Sequence, residues 1–217
     1  MVRRKNEKMK RIKLTVAYDG TNYHGWQIQP NAITVEGELN KAISELTGEH
    51  IEVIGASRTD AGVHALGNVA VFDTESRIPG EKFSYALNQR LPEDIIIQSS
   101  EEVALDFHPR YQECRKTYEY TILNRKFPLP EYRNTAHFDY GNLDVKAMQD
   151  ACKAFIGEHD FAGFCSAGAQ VKTTVRTIYS LEVECIELGK AKPDGENSED
   201  LYAGTDKQKE NDRLIRI

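Results

Sequence analysis

Apolar and polar positions alternate along the start of the chain with a period of two, then switch to a helical period. The order of these patterns predicts the architecture. "RIKLTVAYDG" reads as a half-buried strand, apolar at every second position. In "TVEGELNKAISELTG" the residues Val35, Leu39, Ile43 and Leu46 share one helical face, with Thr34 placed as N-cap and Gly48 as C-cap. Further strands are expected at Ile51 to Ile54, Asn68 to Asp73, Ile95 to Ser99 and Thr117 to Leu123, with a short helix from Glu81 to Asn88.

The second half repeats the theme. "LDVKAMQDACKAFIG" puts Val145, Met148, Cys152 and Phe155 on one stripe, and "TTVRTIYSLEVECIE" alternates as one long strand. The triplet "GEH" follows the helix each time, at Gly48 to His50 and at Gly157 to His159. Strand, helix and strand in both halves predict an α+β fold of two ferredoxin-like, RRM-like subdomains with antiparallel sheets around a central cleft. The expected division is residues 1–110 and 111–217.

Composition sets the compartment. At 217 residues and 40% apolar content, the chain can bury a sizeable core. No apolar run approaches the roughly 20 residues that cross a bilayer, and "MVRRKNEKMKRIK" lacks the apolar stretch of a signal peptide. A cytoplasmic protein without a membrane partner is expected. Cys114, Cys152, Cys165 and Cys185 are widely spaced with no Cys-x-x-Cys pair. They read as reduced core thiols, with neither a zinc site nor a disulfide framework.

The net charge of −6 looks wrong for a nucleic-acid partner, but it is unevenly spread. The segment from Glu182 to Asp212 holds ten acidic and four basic residues, which accounts for all of it. Elsewhere, Arg3, Arg4, Lys5, Lys8, Lys10, Arg11 and Lys13 make one basic run, and Arg110, Arg115, Lys116, Arg125, Lys126 and Arg133 make a second, interleaved with tyrosines. Such interleaving suits a phosphate backbone and stacked bases, and it equally suits two solvated faces.

The densest cluster of chemistry is "GASRTDAGVHA", Gly55 to Ala65. Gly55 and Gly62 open backbone conformations closed to other residues, so a tight loop after a strand can present short side chains. Arg58 stands two residues before Asp60 and could pair with it, keeping the carboxylate ionised. An ionised carboxylate without a second acid nearby suits nucleophilic work better than paired acid and base work. On residue types alone, Asp60 could also merely cap a turn.

Here the residues reach a resemblance. "SRTDAGVHA" resembles the signature of the TruA family of tRNA pseudouridine synthases. "VAYDGTNYHGWQ", "TVEGELNKAISELTG", "ALNQRLPEDIII", "CRKTYEYTI" and "FIGEHDFAGFC" match it too, in the family's order, from about Arg11 to Glu187. The resemblance implies that Asp60 is a nucleophile toward a target uridine, at the ribose C1′ or at C6 of the ring. It implies that Tyr118 packs on the uracil and that Arg58 holds the looped-out nucleotide. Tyr23, Trp26, His24 and His64 are expected to be structural. The implied reaction is a redox-neutral isomerisation in the anticodon stem-loop of tRNA, with no cofactor and no metal, carried out by a homodimer. A non-catalytic RNA-binding module would not need Asp60, and a glycosidase would need a second carboxylate beside it.

One departure stands out. The family continues past the long strand into a "GxxFLYxMVR"-like segment whose arginine pairs with the catalytic aspartate, whereas this chain stops at "RLIRI". Residues 188–212 are acidic and rich in turn formers, and read as an exposed hairpin loop or disordered insertion. "RLIRI" reads as the start of the returning strand. The expectation is an incomplete second subdomain with an exposed apolar face, an incomplete site and weak activity.

Overall fold

The computed structural model describes residues 8–112, 114–165, 173–188 and 212–217. The chain divides into two compact units, Met1–Arg115 and Lys116–Ile217.

In the first unit the alternating segment becomes β1 (Lys10–Tyr18), whose inward residues Ile12, Leu14, Val16 and Tyr18 are buried. The helical pattern becomes α1 (Val35–Thr47). Thr34 caps it by accepting from the Gly37 amide at 3.3 Å, and Gly48 ends it in the left-handed region at φ +74°. Then come β2 (Ile54–Gly55), β3 (Ala65–Thr74), α2 (Phe83–Leu87) and β4 (Ile95–Val103). The sheet order is β2-β3-β1-β4 and every pair is antiparallel. This is the ferredoxin-like arrangement that the order of patterns predicted. Val35, Leu39 and Ile43 of α1 and Phe83 and Leu87 of α2 pack with Leu14, Phe72 and Ile97 in one core.

The strand expected from Ile51 shrinks to two residues for an identifiable reason. The Val53 amide donates to Asn40 Oδ1 at 2.9 Å, and the Ile51 amide donates to Ser44 Oγ at 3.1 Å. Side chains of α1 thus take the amides that a sheet ladder would have used, while Ile51 and Val53 still bury their side chains.

The second unit contains β5 (Thr121–Asn124), β6 (His137–Asp139), α3 (Val145–Cys152), β7 (Gly157–Asp160), β8 (Val175–Ile178), β9 (Glu184–Glu187) and β10 (Arg213–Arg216). Its main sheet has the order β6-β5-β10-β9, and β7 pairs with β8 alone. The series β5, α3, β9, β10 places its strands as β1, α1, β2, β3 are placed in the first unit. Where β4 lies beside β1, however, the neighbour of β5 is the short strand β6, and that pair is parallel. The second sheet is therefore mixed, a departure from a wholly antiparallel pair of subdomains.

Expectations about this unit need correction at several points. The single strand "TTVRTIYSLEVECIE" is two strands serving different sheets, since β8 pairs with β7 and β9 with β10. Between them Gln149 of α3 donates to the Val183 carbonyl, and Val183 turns into the small core with Cys152 and Ile215. The strand expected from Thr117 starts at Thr121. Of the cysteines, Cys152 alone is buried, and Cys114, Cys165 and Cys185 are exposed thiols. The "RLIRI" segment does form a strand, held between β5 and β9. Exposed apolar side chains in this unit include Phe127, Ile156, Phe164 and Val175, while Leu123 and Leu214 on the main sheet are buried. The expected insertion at 188–212 lies almost wholly outside the described residues.

Leu39 is fully buried and Leu66 is 92% exposed, although both are leucines in regular elements. Leu39→Ala should destabilise the first unit by about 3 kcal/mol, and Leu66→Ala by less than about 0.5 kcal/mol. Denaturant unfolding followed by the fluorescence of Trp26, the chain's one tryptophan, checks both.

Candidate active site

The loop from Ala56 to His64 leaves the sheet between β2 and β3, and it is fixed from several sides. The Ala56 amide donates to the Val69 carbonyl at 2.7 Å. The Trp26 amide donates to the Thr59 carbonyl at 3.0 Å, and the Gly62 amide donates to the Tyr23 carbonyl at 3.2 Å. The Val63 amide closes a turn on the Asp60 carbonyl at 3.2 Å. Side chains add to this. The Tyr18 and Thr59 hydroxyls are 2.8 Å apart, Asn68 Nδ2 donates to the Ser57 carbonyl at 3.2 Å, and Arg110 Nε donates to the Gly55 carbonyl at 2.8 Å.

Close backbone approach makes this possible. Gly25 sits at φ +88°, and a Cβ there would lie 2.5 Å from the Thr59 carbonyl oxygen. Gly62 turns the loop at φ +77°, as the sequence predicted. Gly55 serves differently: it is needed for room, because a Cβ there would meet the Trp26 ring at 2.5 Å.

Under this loop lies the β1–α1 connection. Trp26 is 1% exposed, its ring 5.9 Å from that of Tyr18, and Tyr23 is likewise buried. Both are packing residues, as expected. Tyr23 donates to Asp94 Oδ1; burial first, and that bond second, push its phenol well above the ordinary tyrosine value. Burial also raises the Tyr18 phenol, against the bond to Thr59. His64 Nδ1 lies 3.0 Å from Asp19 Oδ1 and accepts from the Gly20 amide at 3.2 Å, tying the loop's far end to the same connection. The Thr21 hydroxyl and amide hold the Asp19 carboxyl below its usual range.

Against this braced background Arg58 and Asp60 are exposed. They share the loop, yet no ion pair joins them among the described residues, so the pairing considered from their spacing is absent. Tyr118 belongs to the second unit, in the segment before β5, and is 78% exposed. An ordinary core tyrosine is thereby excluded. The described part of the amino-terminal basic run is largely committed: Arg11 makes a two-pronged bond to Asp73, Lys13 pairs with Glu101, and Lys10 bonds the Ile78 carbonyl. Among the described residues no three His, Cys, Asp or Glu side chains group to hold a metal. No helix among them is long and apolar enough to cross a membrane.

The residues that sequence reasoning passed over are Tyr18, Thr59 and Asn68. The signal was present in the alternation, because Tyr18 and Asn68 put polar groups at inward positions of β1 and β3.

A family model described as tRNA pseudouridine synthase matches residues 14–112 and 151–193. Among curated proteins, the chain is 52% identical over 176 residues to tRNA pseudouridine synthase A of Acetivibrio thermocellus, covering 81% of this chain and 72% of that one. It is 52% identical to tRNA pseudouridine synthase A 2 of Clostridium perfringens, again over 81% and 72% of the two chains. To tRNA pseudouridine synthase A of Ruminiclostridium cellulolyticum it is 53% identical over 175 residues, 81% and 71% of the two chains.

The brace beneath the loop carries its own pH dependence. With its folded pKa raised, Tyr23 contributes stability that is complete below the ordinary value near 10. Above that value the unfolded chain binds fewer protons than the folded one, so the free energy of unfolding falls as pH rises. Thermal unfolding between about pH 9 and about pH 11 should therefore show a shallower alkaline decline in Tyr23→Phe than in the parent. Parallel declines would show that the phenol does not titrate between the two states.

Proposed function

The chain belongs to the tRNA pseudouridine synthase family, and on that premise we propose that Asp60 is the nucleophile with which it isomerises uridines in the anticodon stem-loop of tRNA. One observation carries the reading: an exposed carboxylate is presented by a loop whose backbone is fixed immediately before and after it. Attacking groups must be held in place, because effective molarity is lost with small displacements.

Conversion of uridine to pseudouridine replaces the C1′–N1 bond by a C1′–C5 bond and leaves composition unchanged. Along the C1′ route, an Asp60 oxygen bonds to C1′ as the C1′–N1 bond breaks, and the electron pair leaves on N1 of the uracil. The base turns, C5 attacks C1′ and displaces the carboxylate, the C5 proton is lost, and N1 is protonated. Along the C6 route the same oxygen adds to C6 as the C5=C6 π bond opens toward O4. The C1′–N1 bond then breaks, C5 bonds to C1′, N1 is protonated, and loss of the C5 proton expels the carboxylate and restores the double bond. Either route calls for an ionised carboxylate and neither requires a redox partner, so no cofactor enters the reading.

Arg58 and Tyr118 take the supporting roles. A target base must leave the helix stack, and a planar cation can fill the space it vacates. Arg58 suits this because it is exposed and not spent on Asp60. The open ring of Tyr118 offers a stacking surface for the uracil, and its hydroxyl a proton donor. The reading extends to action as a homodimer on the folded tRNA.

Asp60→Asn and Asp60→Ala should abolish pseudouridine formation in unmodified tRNA while leaving folding and tRNA affinity unchanged. Turnover by Asp60→Ala within about tenfold of the parent would overturn the assignment. Retained binding with lost turnover also separates an enzyme from an RNA-binding module.

For Tyr118 the ring and the hydroxyl separate experimentally. Tyr118→Leu should lose turnover severely, and Tyr118→Phe shows how much of that loss belongs to the hydroxyl. Unchanged turnover in both variants would remove Tyr118 from the site.

A further inference from the structure

Along Ser57 to Asp60 burial alternates: Ser57 and Thr59 are half-buried, and Arg58 and Asp60 are exposed. The half-buried pair meets two buried polar side chains. The Tyr18 hydroxyl reaches Thr59 Oγ1 at 2.8 Å, and Asn68 Nδ2 donates to the Ser57 carbonyl at 3.2 Å. The two side chains thus hold alternate residues of one segment. Tyr18 is 5% and Asn68 7% exposed.

We infer that Tyr18 and Asn68 are positioning residues that clamp Ser57 and Thr59 and thereby set where the Asp60 carboxylate stands. The inference rests on the reading of Asp60 as the nucleophile.

Both clampers occupy positions where the fold asks for apolar side chains. Ile12, Leu14 and Val16 precede Tyr18 on the inward face of β1, and Ala70 and Phe72 follow Asn68 on that of β3. A hydroxyl and an amide buried there add nothing to packing and cost free energy unless bonded. Their bonding is directed at the two residues that flank Arg58. A register shift between Val16 and Tyr18 interrupts the pairing of β1 with β3, and such irregularities re-aim the side chain beside them. Thr59 is covalently next to Asp60, so a shift of Thr59 is passed on at the length of one peptide unit. The Trp26 amide holds the same residue by its carbonyl, which leaves the Thr59 side chain to fix the remaining orientation.

A clamp differs from ordinary stabilisation in what it changes. Loss of stability alone lowers the amount of folded enzyme and leaves the chemical step of the folded fraction intact. Loss of position slows the chemical step and leaves RNA affinity intact. Tyr18→Phe keeps the ring beside Trp26 and removes only the hydroxyl. Thr59→Val removes the other end of the bond, and Thr59→Ser restores it.

The test is single-turnover pseudouridine formation with saturating enzyme, alongside equilibrium binding of unmodified tRNA and thermal unfolding of each variant. Tyr18→Phe and Thr59→Val should each slow the chemical step by about 10- to 100-fold with tRNA affinity within about twofold of the parent. The double variant should be no slower than either single one, because both remove the same bond. Thr59→Ser should recover to within about threefold. Unchanged rates in Tyr18→Phe and Thr59→Val, with Asp60→Asn inactive, would overturn the clamp and leave the nucleophile standing. A rate loss explained by the unfolded fraction would overturn it too. An active Asp60→Asn would overturn both, through the nucleophile assignment.

Discussion

The contact on which the candidate site depends is the pair of backbone bonds between the β1–α1 connection and the loop after β2. Trp26 donates to Thr59 and Gly62 donates to Tyr23, on either side of Asp60. Loops move because few groups hold them, and this one is held at nearly every residue from Gly55 to His64. Such close backbone contact needs Gly25, whose absent side chain leaves room for the Thr59 carbonyl. It also needs something solid beneath, which the buried Trp26 and Tyr23 supply. Hence the segments "DGTNYHGWQ" and "ASRTDAGVHA" are two halves of one structure, although about thirty residues separate them.

The two units share a plan and differ in how much core they build on it. In the first, two helices pack against one face of a four-stranded sheet and bury a continuous cluster. In the second, α3 covers a shorter sheet, and the fully or nearly buried part of that cluster is Cys152, Val183 and Ile215. A small cluster leaves polar bonds with more to do. Asn124, fully buried, accepts from Arg213 Nε and donates to the Asp139 and Gly141 carbonyls, joining β5, β6 and β10 through one side chain. Losing that amide would leave several buried groups unsatisfied at once.

The first unit was legible in the sequence because its signals are local. Period-two alternation, an N-cap threonine and a C-cap glycine each act within a few residues, and α1 runs between Thr34 and Gly48 as those residues require. The failures came where a long-range bond overrode a local pattern. Asn40 and Ser44 took the amides of the expected strand at Ile51, and Gln149 took the carbonyl of Val183 in the middle of an apparently continuous strand. The exposure of Cys185 has a different origin, since a cysteine in an alternating run gives no sign of how completely its face will be covered. For the site, residue types and the family motif pointed to Asp60, Arg58 and Tyr118, but no sequence pattern could announce that Tyr18 meets Thr59, because that contact spans 41 positions.

The exposure of Asp60 fits the kind of substrate proposed for it. Enzymes acting on small molecules gain electrostatic strength by enclosing them, since a dry site strengthens every charge interaction within it. Two cavities of about 580 and 500 Å³ among the described residues of the first unit lie by β2, β3 and α1, and Asp60 lines neither of these two. A nucleotide within tRNA brings its own bulk, so water can be excluded from the carboxylate by the RNA as it docks. The protein must then supply position in advance, because the dry environment arrives only with the substrate. That division of labour accounts for a side chain left open to solvent on a backbone that is fixed in so many places.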